Sequence, residues 1–238
     1  MLASAMASSW IVAMGGGSFW HPYDPTRDAF IFSLARRKRP RVGFVATAGG
    51  DSDTYTANFF RAMSEHDVAA VDVPLFNRRD LDLRRAVLDL DVVFVGGGNT
   101  LSLLAVWRAH GLDQILREAW ESGIVMCGVS AGMNCWFEQS VTDSYSLEEL
   151  RPLDDGLGFL TGSCCPHYSD DDRRRPAYHQ FMRSGELRAG VAADDSAALV
   201  YEGTVLAEVV RWADEGTGYR VSPANGEVEE TALPSRRL

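Results

Sequence analysis

The sequence predicts an α/β fold: a mainly parallel, doubly wound sheet with helices on both faces and an antiparallel hairpin layer at its C-terminal end. Two patterns carry this prediction. Short apolar runs alternate with longer amphipathic segments, the arrangement of successive βαβ units. The apolar runs end in glycine or another turn-forming residue, as strands do where an open parallel sheet forms its ligand crevice. Length and composition agree, because 238 residues with 46% hydrophobic and 24% charged side chains suit one globular domain spanning residues 1–238.

Trp10–Met14 reads as the first strand and runs into Gly15-Gly16-Gly17. Asp28–Arg39 carries apolar residues at helical spacing and is stopped by Pro40. Arg41–Ala46 follows as a strand ending near Gly49-Gly50, then Tyr55–His66 as a helix and Val68–Val73 as a strand. Val92–Val95 leads into Gly96-Gly97-Gly98. Thr100–His110 and Leu112–Ser122 are core-facing helices, with Leu101, Leu104 and Trp107 marking the period of the first. Ile124–Val129 is a strand of the fully buried type, and Met133–Gln139 is helix-compatible. From about Leu199 short strands are punctuated by Gly203, Gly216, Gly218 and Gly226, and Pro234 to Leu238 is expected to be a frayed tail.

A formal net charge of −10 repels a phosphate backbone, so nucleic acid is not an expected partner. No uninterrupted apolar run approaches the length needed to span a bilayer. The segment Met1 to Ser9 lacks the basic and apolar regions of a signal peptide. Cys127, Cys135, Cys164 and Cys165 form no CxxC pair and lie in or beside apolar runs, which suits reduced thiols and a cytoplasmic location.

The chemistry concentrates in Gly128-Val129-Ser130-Ala131-Gly132, where a buried strand turns sharply into a helix. Such a turn projects its central side chain into the crevice, and glycines two residues either side remove side chains that would collide. Ser130 is therefore the candidate nucleophile, and the N–H of Ala131 a candidate oxyanion donor. A second glycine loop, Gly96-Gly97-Gly98-Asn99-Thr100, also follows a strand and precedes a helix. The N–H of Gly97 or Gly98 would supply a second donor. A phosphate cradle is the weaker reading of that loop, because no P-loop Lys-Ser/Thr pair follows it.

A serine hydroxyl needs a base within hydrogen-bond reach. Among five histidines, His167 lies beside Pro166 at the end of a short apolar stretch, where a strand end would fix it. His66 and His110 look like structural helix-terminal residues, and His21 and His179 stand in polar surroundings. A carboxylate should orient the imidazole. Two candidates follow the serine, Asp143 and Glu138. Eight residues of helix at about 1.5 Å rise would carry the Glu138 backbone about 12 Å from Ser130, so Asp143, beyond the helix, ranks first.

These motifs together resemble the peptidase E family, serine dipeptidases of the class I glutamine-amidotransferase-like (flavodoxin-like) fold to which cyanophycinases are related. The matching pieces are Val95-Gly-Gly-Gly-Asn-Thr100, Gly128-Val-Ser-Ala-Gly132, Thr142-Asp143, Pro166-His167-Tyr168 and Ala192-Ala-Asp-Asp-Ser-Ala-Ala-Leu199. The resemblance implies a triad of Ser130, His167 and Asp143, no metal or organic cofactor, short-peptide substrates and a homodimer. Asn99 and Tyr168, within matched motifs, are candidate substrate-binding residues. In the family's aspartyl dipeptidases an arginine after the histidine recognises an N-terminal aspartate; here Asp170-Asp171-Asp172 would repel a carboxylate unless Arg173, Arg174 or Arg175 turns inward. An aminopeptidase-like preference, with the acidic run holding the substrate ammonium, fits equally well.

Two alternatives compete. An α/β-hydrolase esterase shares the serine motif, yet its histidine usually lies far nearer the C-terminus than His167 does. A non-catalytic small-molecule-binding relative would keep the crevice without turnover. A glutamine amidotransferase would need cysteine where Ser130 stands.

Overall fold

Val92, Val93, Phe94 and Val95 are all fully buried, and alternate residues face opposite sides of the strand, as the pleat requires. Val93 and Val95 enter one core cluster, Val92 and Phe94 another. A strand apolar on both faces belongs in the middle of a sheet covered on both sides, and the computed structural model, which describes residues 8–17, 19, 23–77, 82–224 and 226–238, has that architecture. The remainder of the Met1 to Ser9 reading, and His21, lie outside the described residues.

Five parallel strands form the centre of the larger sheet: β1 (Trp10–Met14), β2 (Arg41–Val45), β3 (Ala69–Asp72), β4 (Val92–Val95) and β5 (Val125–Val129), in the order β1-β5-β4-β2-β3. Helices α1 (Pro25–Ser33) and α2 (Asp53–Met63) cover one face through Ile31, Phe32, Phe59 and Met63. Helices α3 (Leu83–Leu88), α4 (Thr100–His110) and α5 (Leu112–Glu121) cover the other, with Leu104, Trp107, Leu116 and Trp120 in its core. The doubly wound parallel sheet expected from the sequence is present. Helix α1 ends at Ser33, capped at Leu34, instead of reaching Arg39; beyond it Arg37 and Arg39 pair with Asp91 and Asp67.

After β5 the chain makes only a short helix, α6 (Ala131–Asn134), and then enters a second sheet of six strands. Its strands are β6 (Phe137–Ser146), β7 (Glu149–Leu153), β8 (Leu160–Cys165) and β9 (Gly190–Ala193), together with two strands from the C-terminal part of the chain. The helix-compatible reading of Met133–Gln139 therefore gives way to strand from Phe137 onward. Val141 and Thr142 are β-branched and buried, which suits a pleated surface better than a helical one. Helix α7 (Arg174–Arg183) packs Tyr178 and Met182 against this sheet.

Between β9 and β10 (Ala197–Glu202) the chain crosses from the second sheet back to the first, where β10 pairs antiparallel with β1 and with β11 (Val205–Arg211). Strands β12 (Gly218–Ala224) and β13 (Glu227–Leu233) form the C-terminal hairpin and attach to β9, so the antiparallel layer is larger than a terminal hairpin alone. The expected frayed tail is instead β14 (Ser235–Arg237), which pairs with β11, and Leu238 N–H donates to the Arg211 carbonyl. Among the described residues no helix is long and apolar enough to cross a membrane.

Candidate active site

Strand β5 delivers Ser130 to the C-terminal rim of the parallel sheet in a conformation that only a tightly braced residue adopts. Its φ is 58° and ψ −111°, outside the regions comfortable for an L-residue, at a cost of order 1–3 kcal/mol. Closeness of backbone explains the flanking glycines: a Cβ on Gly128 would collide with the Gly132 carbonyl, and one on Gly132 with the Val95 carbonyl. Ser130 N–H donates to the Met14 carbonyl at 3.1 Å, and the Ser130 carbonyl accepts from Met133 and Asn134 N–H at 2.8 and 2.9 Å, which ties the turn to β1 and α6.

The neighbouring loop after β4 approaches the serine closely, since a Cβ on Gly97 would stand 3.3 Å from Ser130 Cβ. Gly97 N–H, however, already donates to Tyr55 Oη at 3.1 Å. Gly98 lines the cavity with Ser130, and Ala131 begins α6.

His167 follows β8 and also has positive φ, 52°. Its backbone N–H donates to the Gly15 carbonyl at 3.3 Å, and its imidazole Nδ1 lies 2.6 Å from Asp195 Oδ1. Ser130, His167 and Asp195 line one cavity of about 540 Å³, with Gly98, Asn99, Asp143, Ser144, Leu147, Asp170, Asp171 and Arg174. Among the described residues no hydrogen bond joins the Ser130 hydroxyl to the imidazole; such contacts commonly tighten only around a substrate.

The acid beside the imidazole is thus Asp195, and neither sequence candidate bonds to His167. Asp143 lines the cavity but faces Arg174, 3.3 Å away. Glu138, on a strand instead of a helix, accepts from Gly162 N–H at 2.9 Å and pairs with Arg188 at 3.2 Å. Asp195 occupies the crossing between β9 and β10, a strand end on the same rim that gathers the glycine loops. The rule that strand ends line the crevice, applied to Ala192–Leu199, would have found it; the restriction to acids between Ser130 and His167 concealed it.

Asp194, the neighbour of Asp195, is buried and organises this crossing. Its carboxylate accepts from Ser169 N–H at 3.0 Å, Thr217 N–H at 3.1 Å and Tyr219 Oη at 3.1 Å. It thereby joins the segment after His167 to the segment carrying Asp195. Asp195 N–H in turn donates to Asp170 at 2.6 Å. Burial, with Asp195 and Asp194 nearby, raises the Asp170 carboxyl above its ordinary value, against the lowering effect of that N–H.

The expected substrate-binding residues separate. Arg174 is buried and lines the cavity, held by Asp143, by Asp171 at 3.5 Å and by the Val141 carbonyl at 3.4 Å. Arg173 stays outward, paired with Asp171, which it holds below the usual carboxylate range. Arg175 stacks over Tyr168 and Tyr219 and pairs with Glu230. Tyr168 is buried with Tyr178 and Met182 against the second sheet, its hydroxyl donating to Glu230 at 2.5 Å, and does not line the cavity. Asn99 does line it, but its side chain caps α4 through Ser102 N–H and donates to the Ser144 carbonyl, both at 2.8 Å. All four cysteines are free and buried, and burial pushes their thiols up, Cys165 to about 12, so none is a rival nucleophile. Among the described residues no cluster of His, Cys, Asp and Glu could hold a metal ion.

Comparison with known proteins gives a consistent answer. Residues 11–209 match the sequence profile of Peptidase family S51. The chain is 44% identical over 230 residues to the uncharacterized peptidase YgaJ of Bacillus subtilis, covering 96% of this chain and 98% of that one. It is 34% identical over 132 residues to peptidase E of Streptomyces coelicolor, covering 56% and 53% of the two chains. In three dimensions it is similar to the crystal structure of a peptidase from an acI-B1 Actinobacterium, with TM-score 0.71 and 16% identity over 96% of this chain and 98% of that chain.

Proposed function

The chain belongs to Peptidase family S51 and is a serine-type peptidase of the peptidase E kind, and from that premise we propose that Ser130, His167 and Asp195 are its catalytic triad, acting on short peptides as an exopeptidase. The 2.6 Å contact between His167 Nδ1 and Asp195, in the cavity that Ser130 lines, is the observation that carries this reading. Ser130 Oγ attacks the scissile carbonyl carbon while His167 Nε2 takes its proton. Asp195 holds Nδ1–H and stabilises the imidazolium that forms. The N–H groups of Ala131 and Gly98 receive the charge developing on the carbonyl oxygen. Collapse of the tetrahedral species breaks the C–N bond, the amine leaves with the proton from His167, and an ester to Ser130 remains. Water, deprotonated by His167, then attacks that ester and restores the serine.

The charges around the serine favour one substrate class over another. Asp143, Asp170, Asp171 and Asp195 line the cavity, against Arg174 and His167. Arg174 has turned inward, but Asp143 and Asp171 already neutralise it. A substrate carboxylate would have to displace them, whereas a free N-terminal ammonium meets carboxylates directly. This supports an aminopeptidase-like preference over recognition of an N-terminal aspartate. Four reduced, buried thiols also support a cytoplasmic location.

A dipeptide library assayed with the wild type and Ser130→Ala tests both parts. We expect turnover of peptides with a free amino terminus, loss of that turnover on acetylating the substrate, and a fall of at least about 10⁴-fold in Ser130→Ala with the fold retained. Equal turnover by Ser130→Ala, or a strict demand for N-terminal aspartate, would refute the corresponding part.

A further inference from the structure

Three consecutive residues at the end of β1 touch all three members of the proposed triad. The Met14 carbonyl accepts Ser130 N–H at 3.1 Å, and the Gly15 carbonyl accepts His167 N–H at 3.3 Å. Gly16 contacts Asp195 by lacking a side chain: a Cβ there would occupy the space of Asp195 Oδ1, the oxygen that faces His167. Gly15 is equally crowded, since its Cβ would run into the carbonyls of Ala193 and Asp194. Gly16 does not have positive φ, so its backbone conformation would accept any L-residue. Room for the Asp195 carboxylate is the reason the structure offers for glycine at this position.

The Asp195 side chain needs such a wall. It is 41% exposed, and among the described residues its carboxylate hydrogen-bonds only to His167. Nothing else on its own turn restrains the carboxylate, because the hydrogen bond to Asp170 is made by the Asp195 backbone. We propose that Gly16 is a positioning residue: its bare Cα lets the Asp195 carboxylate lie against His167, and the end of β1 is the common template that registers three residues from β5, from the end of β8 and from the β9–β10 crossing. The proposal rests on reading Ser130, His167 and Asp195 as the triad.

A double-mutant cycle on the full chain tests it, with a dipeptide substrate and Gly16→Ala, Asp195→Asn and the pair. If Gly16 acts through Asp195, Gly16→Ala lowers kcat by about 10²-fold with KM little changed, as misplacement by about 1 Å can. Asp195→Asn lowers kcat by about 10³–10⁴-fold, and Gly16→Ala added to it costs almost nothing more. The low-field proton resonance of the His167 Nδ1–H is lost in Gly16→Ala. Gly43→Ala, whose new methyl has Leu90 side-chain atoms as its three nearest neighbours and lies away from the site, serves as a control that leaves kcat and this resonance unchanged. Independent, multiplying losses in the cycle, or wild-type kcat in Gly16→Ala, would overturn the proposal. Wild-type turnover by Asp195→Asn would instead refute the triad assignment, and the proposal with it. Should Gly16→Ala fail to fold, Gly16→Ala with Asp195→Ala decides: removing the carboxylate makes room for the methyl, so the pair should melt where Asp195→Ala does. A pair as unstable as Gly16→Ala alone would show that the methyl clashes elsewhere and overturn the proposal.

Discussion

Ser130 ends a strand whose every residue is buried and whose turn is closed by backbone contacts to β1, β4 and α6. His167 ends a strand of the second sheet, and Asp195 lies where the chain passes between the sheets, in polar segments held by side-chain carboxylates. The first region places its functional group by steric closure of neighbouring glycines. The second does so mainly through long-range polar contacts, in which Asp194 joins residues 169, 217 and 219, with Gly16 clearing the space for the Asp195 carboxylate. Steric closure of the serine turn uses backbone from β1 and β4 and is insensitive to charge. The polar assembly depends on which carboxylate meets which cation.

The comparison is broken most sharply by exchanging the roles of the second region's acids. We expect Asp195→Asn to lower kcat by about 10³–10⁴-fold with the melting transition little changed, because the Ser130 turn does not depend on it. Asp143→Asn and Glu138→Gln should each leave kcat within about tenfold, since their carboxylates bond to Arg174, Arg188 and Gly162 instead of His167. Steady-state rates of the three variants decide it. A larger loss in Asp143→Asn than in Asp195→Asn would return the acid to the position first expected.

The next effect concerns stability. Arg174 has a side chain 6% exposed and is the cation that joins α7 to β6 through Asp143 and the Val141 carbonyl. Arg174→Met leaves Asp143 and Asp171 facing each other without it. Removing one partner of a buried pair costs about 3–5 kcal/mol. Both carboxylates are partly exposed, 31% and 25%, so screening brings the expected loss to roughly 2 kcal/mol. Denaturant midpoints measure it. An unchanged midpoint would mean that the second region is held by its apolar core, as the first is, and that the contrast between them is false.

The same contrast explains what could be read from the sequence. Strands β1, β4 and β5, the glycine loops after them and Ser130 were legible because burial on both faces leaves an unbroken apolar run, and a close backbone approach leaves glycine. His167 was legible from its place at a strand end. Asp195 was not singled out, although its octapeptide was, because nothing in local spacing says which of several aspartates meets an imidazole. Glu138 was misplaced for a related reason: residues 137–146 bury 137 and 140–142, half-bury 138–139 and 143–144 and expose the last two, so no two-residue period marks the strand, and the helix after the serine turn was extended to Gln139. The edge strand at Ser235–Arg237 escaped because it has no apolar side chain; backbone pairing to β11 and the ion pairs of Arg236 with Glu208 and Arg237 with Asp214 hold it.

The smallest effect sharpens the contrast at one carboxylate. Asp170 accepts Asp195 N–H while burial, with Asp195 and Asp194 nearby, raises its carboxyl; His167 and the N–H work in the opposite direction. A carboxylate raised on folding binds its proton more tightly in the folded state than in the unfolded one. Stability contributed by the protonated form is then present below the ordinary aspartate range and lost as pH rises to the elevated value. Asp170→Asn keeps an oxygen for the Asp195 N–H but removes the titration. Its melting midpoint should match the wild type's in acid and exceed it above the elevated value, with the gap opening between the two. Thermal melts followed across that interval read the sign directly. A gap that stays constant, or that favours the wild type as pH rises, would show that the Asp195 N–H and His167 outweigh burial, and that the charged form of Asp170 is the one the polar region is built around.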